Sequence, residues 1–484
     1  MNCAAIEKNL RANLSFYAKL YHKAPIFLQN AIITARGWVL SRLRYQKLFW
    51  KTLAEIKTHD FYSAKELRQY QNTMLQDLIR FAYAQTVYYR EVLENLNLGP
   101  HDIRDLDDLN KLPILTRDQV KRNTQKLQTQ NDKRRITVHT SGSCGSGLAV
   151  SYNSADLVKN WAFLYRQLSW AGVQPREWRL TLYGSKIVPE SQQEPPFWRY
   201  NLCERQILLS IFHLSEKTKN HYIRFLLLHR GAILEGFASI LAIMAEYILE
   251  QGLTIPMKMV YSTGEPMTKT NRKKVQEAFG CTLYDCYGMT EWVGLIQECE
   301  RGEKHVMVDY GILEIIDDEN KPCARGQEGY LVWTGLQHLD MPLIRYRIGD
   351  KGMWCAKDHC ECGRNYPLVH TTITRDSDNI KTPDGRIYSP RVINQFLKNK
   401  QSFNYCQFIQ DRADSLIVRI VPGIGDVQGE TQMLLHDLDH LLQGALTIRT
   451  CVAERPIMRG EGKYPFILNH ADNHRPNPPK VCQV

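Results

Sequence analysis

A segment rich in glycine and hydroxyl side chains, at residues 140–147, is the first part of the sequence whose composition points to chemistry. Glycines let a backbone turn tightly with its N–H groups facing inward, and hydroxyl groups add further donors, so such a loop can bind phosphate. It is not a Walker loop, because Leu148 stands where that motif has its lysine. Taken alone, it could equally be a flexible surface loop. The residues that would bind phosphate are Thr140, Ser141, Gly142, Ser143, Gly145 and Gly147.

Four later segments carry charged and aromatic side chains that could bind a nucleotide. Two of them follow runs that are typical of β-strands, so their polar side chains would stand at strand ends. The last is a lysine behind Gly-Glu-Gly near the end of the chain, which alone could be an ordinary surface lysine. In chain order the segments are Gly264-Glu265-Pro266, Tyr287-Gly288-Met289-Thr290-Glu291, Arg345-Tyr346-Arg347-Ile348-Gly349-Asp350 and Gly460-Glu461-Gly462-Lys463.

Three cysteines and a histidine form a candidate metal site. Cys299 and His305 are six residues apart, and Cys360 and Cys362 form a Cys-x-Cys pair in a later segment. Thiolate and imidazole ligands from two segments could close a tetrahedral structural zinc site. The spacings are not those of a standard zinc finger, and His359 is an alternative ligand. The competing interpretation is four ordinary residues in a reducing compartment.

The elements that must position these residues change along the chain. Residues 1–130 are predicted to be mostly helical, because apolar residues recur at helical spacing. β-like and helical runs then alternate to about residue 345, which is typical of an α/β architecture. Glycine-punctuated strands from residue 310 predict a β-rich subdomain, and a small α+β lobe follows residue 375. The predicted strands span 136–138, 179–183, 257–261, 282–284, 311–316, 329–334, 415–421 and 446–452, and the predicted helices span 154–170, 217–228, 237–251, 271–279 and 429–442.

The size and composition of the chain narrow the class of protein. A chain of 484 residues exceeds what one hydrophobic core supports, so at least two domains are expected. Hydrophobic residues at 43% and charged residues at 23% exclude a disordered or collagen-like chain. The apolar stretches at residues 26–40 and 232–249 contain polar residues and are predicted to be amphipathic core helices, not membrane spans. Thirteen scattered cysteines and no export signal predict a protein of the reducing cytoplasm without a disulfide framework.

The formal net charge of +11 is concentrated partly in the first 60 residues. A basic helical region could contact nucleic acid or anionic lipid, or could simply be a solvated helix face. Because no nucleic-acid-binding motif accompanies the charge, no nucleic-acid partner is expected. A weak peripheral contact with a membrane stays open. Positive charge also suits an enzyme that collects nucleotides.

Taken together and in this order, the motifs resemble the adenylate-forming superfamily of acyl-CoA synthetases, adenylation domains and luciferases. The resemblance covers nearly the whole chain. Its phenylacetate–CoA ligase branch fits best, particularly capsule-biosynthesis relatives of the CapK type. Three further segments point to that branch, namely Tyr88-Tyr89-Arg90 with the Leu-Pro-Ile-Leu-Thr run, Pro195-Pro196-Phe197-Trp198-Arg199-Tyr200-Asn201, and Cys360-Glu361-Cys362-Gly363-Arg364.

The resemblance implies roles for individual residues. Lys463, Thr290 and Glu291 would be catalytic: Lys463 would bridge the carboxylate and the α-phosphate, Thr290 would bind the α-phosphate and Glu291 would bind Mg²⁺. The 140–147 loop would hold the β- and γ-phosphates of ATP. The remaining nucleotide contacts would come from Tyr287 and Gly288 at the adenine ring, from Gly264, Glu265 and Pro266 along its edge, from Asp350 at the ribose and from Arg375 at the ribose or a phosphate.

The resemblance also implies an overall design. The fold would be α/β, with a large lobe of two helix-packed sheets plus a β-rich subdomain, and a small mobile C-terminal α+β lobe. Residues 1–130 would form the helical N-terminal part of the large lobe, and residues 131–374 its ATP- and acid-binding part with the β-rich subdomain. Residues 375–470 would form the small lobe with the catalytic lysine, and residues 471–484 a disordered tail. Relatives in this branch carry a similar Cys/His pattern that binds zinc, which would make Cys299, His305, Cys360 and Cys362 a structural site.

The implied activity is ATP-dependent adenylation of a carboxylic acid, followed by acyl transfer to a thiol or an amine. The acceptor could be CoA, a carrier protein or an amine, and the setting could be polysaccharide or secondary-metabolite assembly. The acid and the oligomeric state are not readable. Candidate acid-binding residues are His213, Glu235, Phe237 and Ser239, although buried polar groups could equally be structural.

The sequence departs from the family pattern at three places, and two of them, Cys144 and Ser377, favour a competing hypothesis: a catalytically weak nucleotide-binding or scaffold protein on the same fold. Cys144 replaces the usual threonine of the loop, and a thiol is a weaker donor than a hydroxyl. The basic residue often found after the loop is absent. Ser377 stands where the hinge between the lobes commonly has a charged residue. The joint presence of Glu291, Asp350 and Lys463 argues for the enzyme.

Overall fold

The computed structural model describes most of the chain, in two compact units. The larger unit includes Gly147–Ile348 and Gly352–Thr371, and the smaller unit includes Gly349–Lys351 and the chain from Thr372 onwards. The predicted domain boundaries stay predictions, and the tail predicted to be disordered lies outside the described residues. The described residues are 21–130, 135–139, 148–189, 191–215, 217–264, 267–372, 379–384, 387–388, 393, 396–397, 400, 402–423, 425–442, 444–458 and 465–469.

Helices fill the N-terminal part of the described chain and later alternate with strands. The helices are α1 (Ile26–Arg44), α2 (Lys47–Thr58), α3 (Ala64–Gln85), α4 (Val87–Asn95), α5 (Arg117–Arg122), α6 (Thr124–Leu127), α7 (Ser154–Trp170), α8 (Lys219–Leu228), α9 (Ala238–Leu249), α10 (Lys269–Phe279) and α11 (Val427–Leu442). The strands are β1 (Leu115–Thr116), β2 (Ile136–His139), β3 (Ala149–Tyr152), β4 (Arg179–Leu182), β5 (Trp198–Asn201), β6 (Gln206–Leu209), β7 (Ile233–Gly236), β8 (Met259–Thr263), β9 (Leu283–Gly288), β10 (Leu295–Glu298), β11 (Lys304–Val306), β12 (Gly311–Ile316), β13 (Gly329–Gly335), β14 (Tyr346–Trp354), β15 (Val369–Thr372), β16 (Ile380–Lys381), β17 (Ile387–Tyr388), β18 (Phe403–Arg412), β19 (Ser415–Pro422), β20 (Thr447–Val452) and β21 (Ile467–Asn469).

An eight-stranded sheet in the order β11-β10-β9-β8-β7-β4-β6-β5 forms the centre of the larger unit. The run from β9 to β6 is parallel, and the strands outside it pair antiparallel. Every residue of β4, β7 and β8 is buried, as expected for parallel strands covered on both faces. After β4 the chain forms β6, which pairs on one side of β4, whereas the later β7 pairs on its other side. The strand order therefore reverses between β4 and β7. Ligands of parallel sheets bind beyond the carboxyl ends of strands at such a point.

A second sheet of the larger unit runs β1-β14-β13-β12, with β15 also paired to β14. Its strands β12 and β13 are the ones that the sequence predicts for the β-rich subdomain from residue 310. In the smaller unit, a four-stranded sheet in the order β20-β19-β18-β21 packs against α11. Leu434, Leu438 and Leu442 of that helix are fully buried in its core.

The predicted α/β class is confirmed, and several elements match the prediction closely. The helix at Ser154–Trp170 and the strand at Gly311–Ile316 have the predicted bounds. The prediction for residues 26–40 is wrong in one respect: the stretch is helical, but apart from Ile33 its buried residues are polar or small, and most of its large apolar side chains are exposed. In the described part of the chain, no helix is long and apolar enough to cross a membrane.

A buried ion pair ties the N-terminal helices to the sheets of the larger unit. Arg166 on α7 and Asp309, which follows β11, are fully buried, and the Arg166 Nη2 donates to Asp309 Oδ1 at 3.1 Å. Arg166 Nη1 also donates to the Ile56 carbonyl at 3.3 Å and to the Tyr366 hydroxyl at 3.0 Å. His59 Nδ1 lies 2.8 Å from Asp309 Oδ2. Although burial alone would raise it, Arg166 and His59 together hold the pKa of Asp309 below its ordinary value.

Asp309→Asn should therefore destabilise the chain strongly, because it leaves the Arg166 charge buried without its counter-charge. A loss of about 3–5 kcal/mol is typical when one partner of a buried pair is removed. The urea midpoint of unfolding at neutral pH, compared with that of wild type, measures this loss of stability. Asp107→Asn is the matched control, since Asp107 pairs with Arg68 at the surface and is 79% exposed; about 1 kcal/mol or less is expected there. Equal midpoints for the two variants would contradict this account.

Candidate functional site

The carboxyl ends of β8 and β9 bring two of the predicted nucleotide-binding segments together. The strands are parallel, with Val260 opposite Leu283 and Thr263 opposite Cys286. The Thr263 hydroxyl donates to the Cys286 carbonyl at 2.9 Å, which fixes the ends of both strands. Gly264 and Tyr287 are the next residues of their chains and therefore stand side by side at the sheet edge. Gly264 has a φ of +82°, a conformation that favours glycine.

A tight turn between β9 and β10 carries the predicted catalytic pair Thr290 and Glu291. The antiparallel register places Gly288 opposite Leu295, so residues 289–294 form the turn. Trp292 has a φ of +51°, and its N–H donates to the Met289 carbonyl at 3.1 Å. The Tyr152 ring stacks on Trp292 with centroids 4.0 Å apart, and the Tyr152 hydroxyl donates to the Thr290 carbonyl. Tyr152 thus holds the turn in place from β3.

The Glu291 carboxylate is buried at the edge of this turn. The Tyr346 hydroxyl donates to its Oε1 at 3.1 Å, and Arg117 Nη1 lies 3.6 Å from the same oxygen. Tyr346 belongs to β14 of the second sheet, and Arg117 begins helix α5 directly after β1, which pairs with β14 and sets Leu115 opposite Tyr346. A carboxylate in this position can bind a divalent cation together with phosphate oxygens, and Arg117 supplies positive charge beside it.

Asp350, the predicted ribose ligand, is buried on β14. Tyr346, Ile348 and Asp350 are alternate residues of the strand and share its buried face. Gly349 between them has a φ of +94°.

The remaining predicted nucleotide contacts lie outside the described residues. They are the loop residues Thr140, Ser141, Gly142, Ser143, Gly145 and Gly147, together with Glu265, Pro266, Arg375 and Lys463. Their roles stay predictions.

Two of the four predicted acid-binding residues stand at the point where the strand order reverses. Glu235 lies at the end of β7, directly before Gly236, and Phe237 contacts the Tyr183 ring edge-on with centroids 5.3 Å apart. Burial raises the pKa of Glu235, and the nearby Arg179 guanidinium offsets part of that shift. A Cβ on Gly236 would lie 3.0 Å from the Leu182 side chain, so β4 and β7 approach closely here.

The other two predicted acid-binding residues are placed differently. The His213 ring accepts from the Ser210 hydroxyl at Nδ1, at 2.7 Å, and donates from Nε2 to the Pro189 carbonyl at 3.1 Å. It also stacks on Phe197, so the ring is oriented by the protein itself. Ser239 lies in α9, and its side chain is outside the described set.

A buried polar cluster behind the turn was not predicted from the sequence. The Tyr310 hydroxyl donates to Asn160 Oδ1 at 2.7 Å and lies 3.0 Å from His338 Nε2. The His338 ring packs 5.1 Å from that of Trp292. Asp156 Oδ1 lies 3.9 Å from His338 Nδ1. Burial raises the pKa of Asp156 to about 7. Burial, together with the nearby charge of Lys159, lowers the pKa of His338 to about 3. The His338 ring beside Trp292 is therefore neutral near pH 7, whereas the Asp156 carboxyl changes its protonation state at about that pH.

Cys299, His305, Cys360 and Cys362 come together in the folded chain. Their candidate ligand atoms lie within 4.8 Å of one another. Cys299 Sγ is 3.6 Å from Cys360 Sγ, and Cys362 Sγ is 3.4 Å from His305 Nε2. His305 Nδ1 donates to the Tyr366 carbonyl at 3.1 Å, which leaves Nε2 to act as a ligand. His359, the alternative ligand, is exposed and does not belong to this cluster. The donor set and spacing fit a tetrahedral zinc ion.

Three residues of this region escaped the sequence analysis as site residues: Tyr152, Arg117 and Tyr346. Tyr346 lies inside the Arg345–Asp350 motif, so its position carried a signal. Arg117 follows Thr116, whose hydroxyl caps α5, and that pattern indicates only a helix start. Tyr152 stands at the end of a short β-like run without any motif of its own.

Comparison with known proteins gives a consistent picture. A family model described as "AMP-binding enzyme" matches residues 216–339. Protein CapK of Staphylococcus aureus is 25% identical over 413 residues, which are 83% of this chain and 88% of CapK. Phenylacetate-coenzyme A ligase of Thermus thermophilus is 24% identical over 338 residues, 68% of this chain and 74% of the ligase. The crystal structure of a 2-hydroxyisobutyryl-CoA ligase with an acyl-AMP has the same fold, with a TM-score of 0.66 at 17% identity over 85% of this chain and 91% of that chain.

Asp156 should make the stability of the chain depend on pH. Its folded pKa of about 7 lies above the ordinary 3.8, so the native state retains a proton that the unfolded chain releases. Stability should fall as pH rises through this interval, by at most about 1.4 kcal/mol per pH unit. Asp156→Asn cannot titrate and should become more stable relative to wild type between pH 5 and pH 7.

Urea midpoints of both proteins at the two pH values measure this difference. Asp107→Asn serves again as the exposed control and should follow wild type. The assignment would be wrong if Asp156→Asn and wild type lost stability in parallel over this range.

Proposed function

This chain belongs to the adenylate-forming superfamily, in its phenylacetate–CoA ligase-like branch, and we propose that it joins a carboxylic acid to a thiol with ATP. In the first step a carboxylate oxygen attacks the α-phosphorus of ATP and pyrophosphate leaves, giving an acyl-AMP. In the second, the thiol sulfur attacks the acyl carbon, AMP leaves and the thiol proton passes to solvent. One observation carries the proposal: the Tyr287–Glu291 segment stands beside Gly264 at the carboxyl edge of the parallel sheet.

The catalytic roles follow from where charge develops. Negative charge builds up on the α-phosphate and on the leaving pyrophosphate, so the site needs donors and cations there. Thr290 donates its hydroxyl to the α-phosphate, and Arg117 and Lys463 supply positive charge. Mg²⁺, when bound, neutralises phosphate charge, and Glu291 is the residue that would hold it. Asp350 accepts from the ribose hydroxyls, and Tyr287 packs against adenine.

The acid binds at the reversal of strand order between β4 and β7. Phe237 and Tyr183 offer aromatic surface there, and Glu235 offers a buried polar group. An acid with an apolar body and one hydrogen-bonding group suits such a lining. Both ring nitrogens of His213 are already bonded, to Ser210 and to Pro189. His213 therefore helps to shape this region and does not donate a hydrogen bond to the acid.

CoA is the first choice for the thiol, because curated relatives are phenylacetate-coenzyme A ligases. A carrier-protein thiol or an amine is the alternative acceptor, and polysaccharide assembly is a setting that the similarity to CapK makes worth testing. The competing function is a nucleotide-binding scaffold. The weaker donor Cys144 in the phosphate loop is the observation that favours it.

Release of pyrophosphate from MgATP across a panel of carboxylic acids tests the proposal. Wild type should release pyrophosphate with some acids, and Lys463→Ala and Glu291→Gln should each lower the rate by about 100-fold or more. Lys258→Ala and Glu319→Gln change a surface lysine and a surface glutamate and should leave the rate unchanged. Binding of ATP without acid-dependent release from any acid would favour the scaffold.

The four-residue cluster is a structural zinc site in this proposal. Three thiolates and one imidazole fill the tetrahedral positions, so no position is open for catalysis. The ion would fasten the β10–β11 hairpin to the Cys360–Cys362 segment. Its contribution to folding would be several kcal/mol, as for other structural zinc ions.

The purified chain should therefore contain about one zinc ion per molecule. Cys360→Ser combined with Cys362→Ser should abolish zinc binding and lower the thermal midpoint, and strong chelators should shift wild type towards the variant. Cys203→Ser alters a thiol outside the cluster and serves as the control. Metal analysis together with thermal unfolding decides the matter: a metal-free wild type with the same midpoint as the double variant would rule the site out.

A further inference from the structure

Helix α1 presents its polar side to the protein. β5 is the last strand of the eight-stranded sheet, and side chains of α1 bond to its free backbone groups. Asn30 Oδ1 accepts from the Tyr200 N–H at 2.9 Å, and the Thr34 hydroxyl accepts from the Leu202 N–H at 3.2 Å and donates to the Tyr200 carbonyl at 3.3 Å. The inner face of the helix is thus committed to hydrogen bonding with a strand edge.

Further contacts fix the rotation of the helix about its axis. Gln29 accepts from Arg199 Nε at 2.6 Å, and Ser41 accepts from Arg176 at 3.0 Å. A Cβ on Gly37 would lie 1.9 Å from the Asn201 side chain, so the helix backbone touches the strand. These contacts span nearly the length of α1. Because these contacts fix its rotation, the opposite side of the helix faces away from the sheet.

That opposite side is apolar and exposed, although a surface helix normally exposes its polar side. Leu28, Ile32, Val39 and Leu43 are separated by four or seven positions and form one row, and Phe27 and Trp38, eleven positions apart, form a neighbouring row. The two rows together extend about 24 Å along the helix. Trp50 of α2 adds a further exposed ring. This N-terminal apolar face consists of Phe27 (74% exposed), Leu28, Ile32, Trp38 (49%), Val39, Leu43 and Trp50 (49%). Apolar patches of this kind mark interaction sites.

The charge around the N-terminal apolar face indicates what it contacts. Residues 21–57 contain seven lysines and arginines and a single carboxylate, Glu55. Lys23, Arg42, Lys47 and Lys51 are exposed around the face, and the Arg42 guanidinium lies 4.3 Å over the Trp38 ring. A second copy of the chain would bring like charges together, whereas an anionic surface would neutralise them.

We infer that the N-terminal apolar face docks on a bilayer that contains anionic lipid, with α1 lying flat in the headgroup region. Interfacial helices combine a tryptophan- and leucine-containing face with flanking lysine and arginine, which is the arrangement seen here. The apolar side chains enter the acyl boundary, and the cations contact the lipid phosphates. This inference does not depend on the proposed ligase activity.

Flotation of the full chain with vesicles tests the inference. Vesicles of phosphatidylcholine and phosphatidylglycerol should bind the chain, and phosphatidylcholine alone should bind it about 10-fold or more weakly. High salt should weaken binding to the anionic vesicles. Replacement of Phe27, Ile32 and Trp38 by serine should abolish flotation.

Two controls separate docking from damage. Leu228→Ser, Met433→Ser and Val452→Ser together remove three exposed apolar side chains elsewhere and should float like wild type. Circular dichroism and thermal midpoints establish that every variant is folded. Trp38→Phe with Trp50→Phe should still float but lose the part of the tryptophan quenching by brominated lipid that reports insertion.

Three results would overturn the inference. Wild type could fail to float with anionic vesicles. The Phe27/Ile32/Trp38 serine variant could float like wild type, which would place binding elsewhere in the chain. Sedimentation could show that wild type is a dimer that this variant converts to a monomer, which would make the face an interface between two copies.

Discussion

The parallel pairing of β8 with β9 is the constraint on which the candidate site depends. Its register sets Thr263 beside Cys286, so Gly264 and Tyr287 emerge together at the carboxyl edge. A slip by one residue would turn every side chain of β9 to the other face of the sheet. The antiparallel return through β10 then leaves room only for a short turn, and that turn holds Thr290. Backbone pairing thus sets the geometry before any ligand binds.

The second sheet completes the environment of Glu291 from positions far apart in the chain. β1 contributes two residues to that sheet, yet its pairing with β14 brings Arg117 and Tyr346 to the same carboxylate oxygen. Tyr152 reaches the adjacent carbonyl from β3. The turn is therefore held from several sides by side chains whose own strands are fixed, which suits a site that must place charge accurately.

How much of this the sequence predicts depends on the range of the signal. The bounds of α7 follow from local periodicity, and the order of motifs, through its resemblance to a known superfamily, predicts the fold. The Tyr152–Trp292 stack and the Arg117–Glu291 pair join segments more than 130 residues apart, and no local pattern encodes such contacts. The outward apolar side of α1 was missed for another reason: periodicity shows that a helix has an apolar side but not which way it faces.

The polar side of α1 has a consequence for the behaviour of shortened chains. β5 would otherwise be an open sheet edge, and open edges recruit strands from other molecules. Asn30 and Thr34 occupy the backbone groups that such a strand would use. A chain that lacked α1 would therefore be prone to edge-to-edge association and precipitation, even with its nucleotide-binding edge intact. Natural length variation at the N-terminus should consequently stop short of this helix.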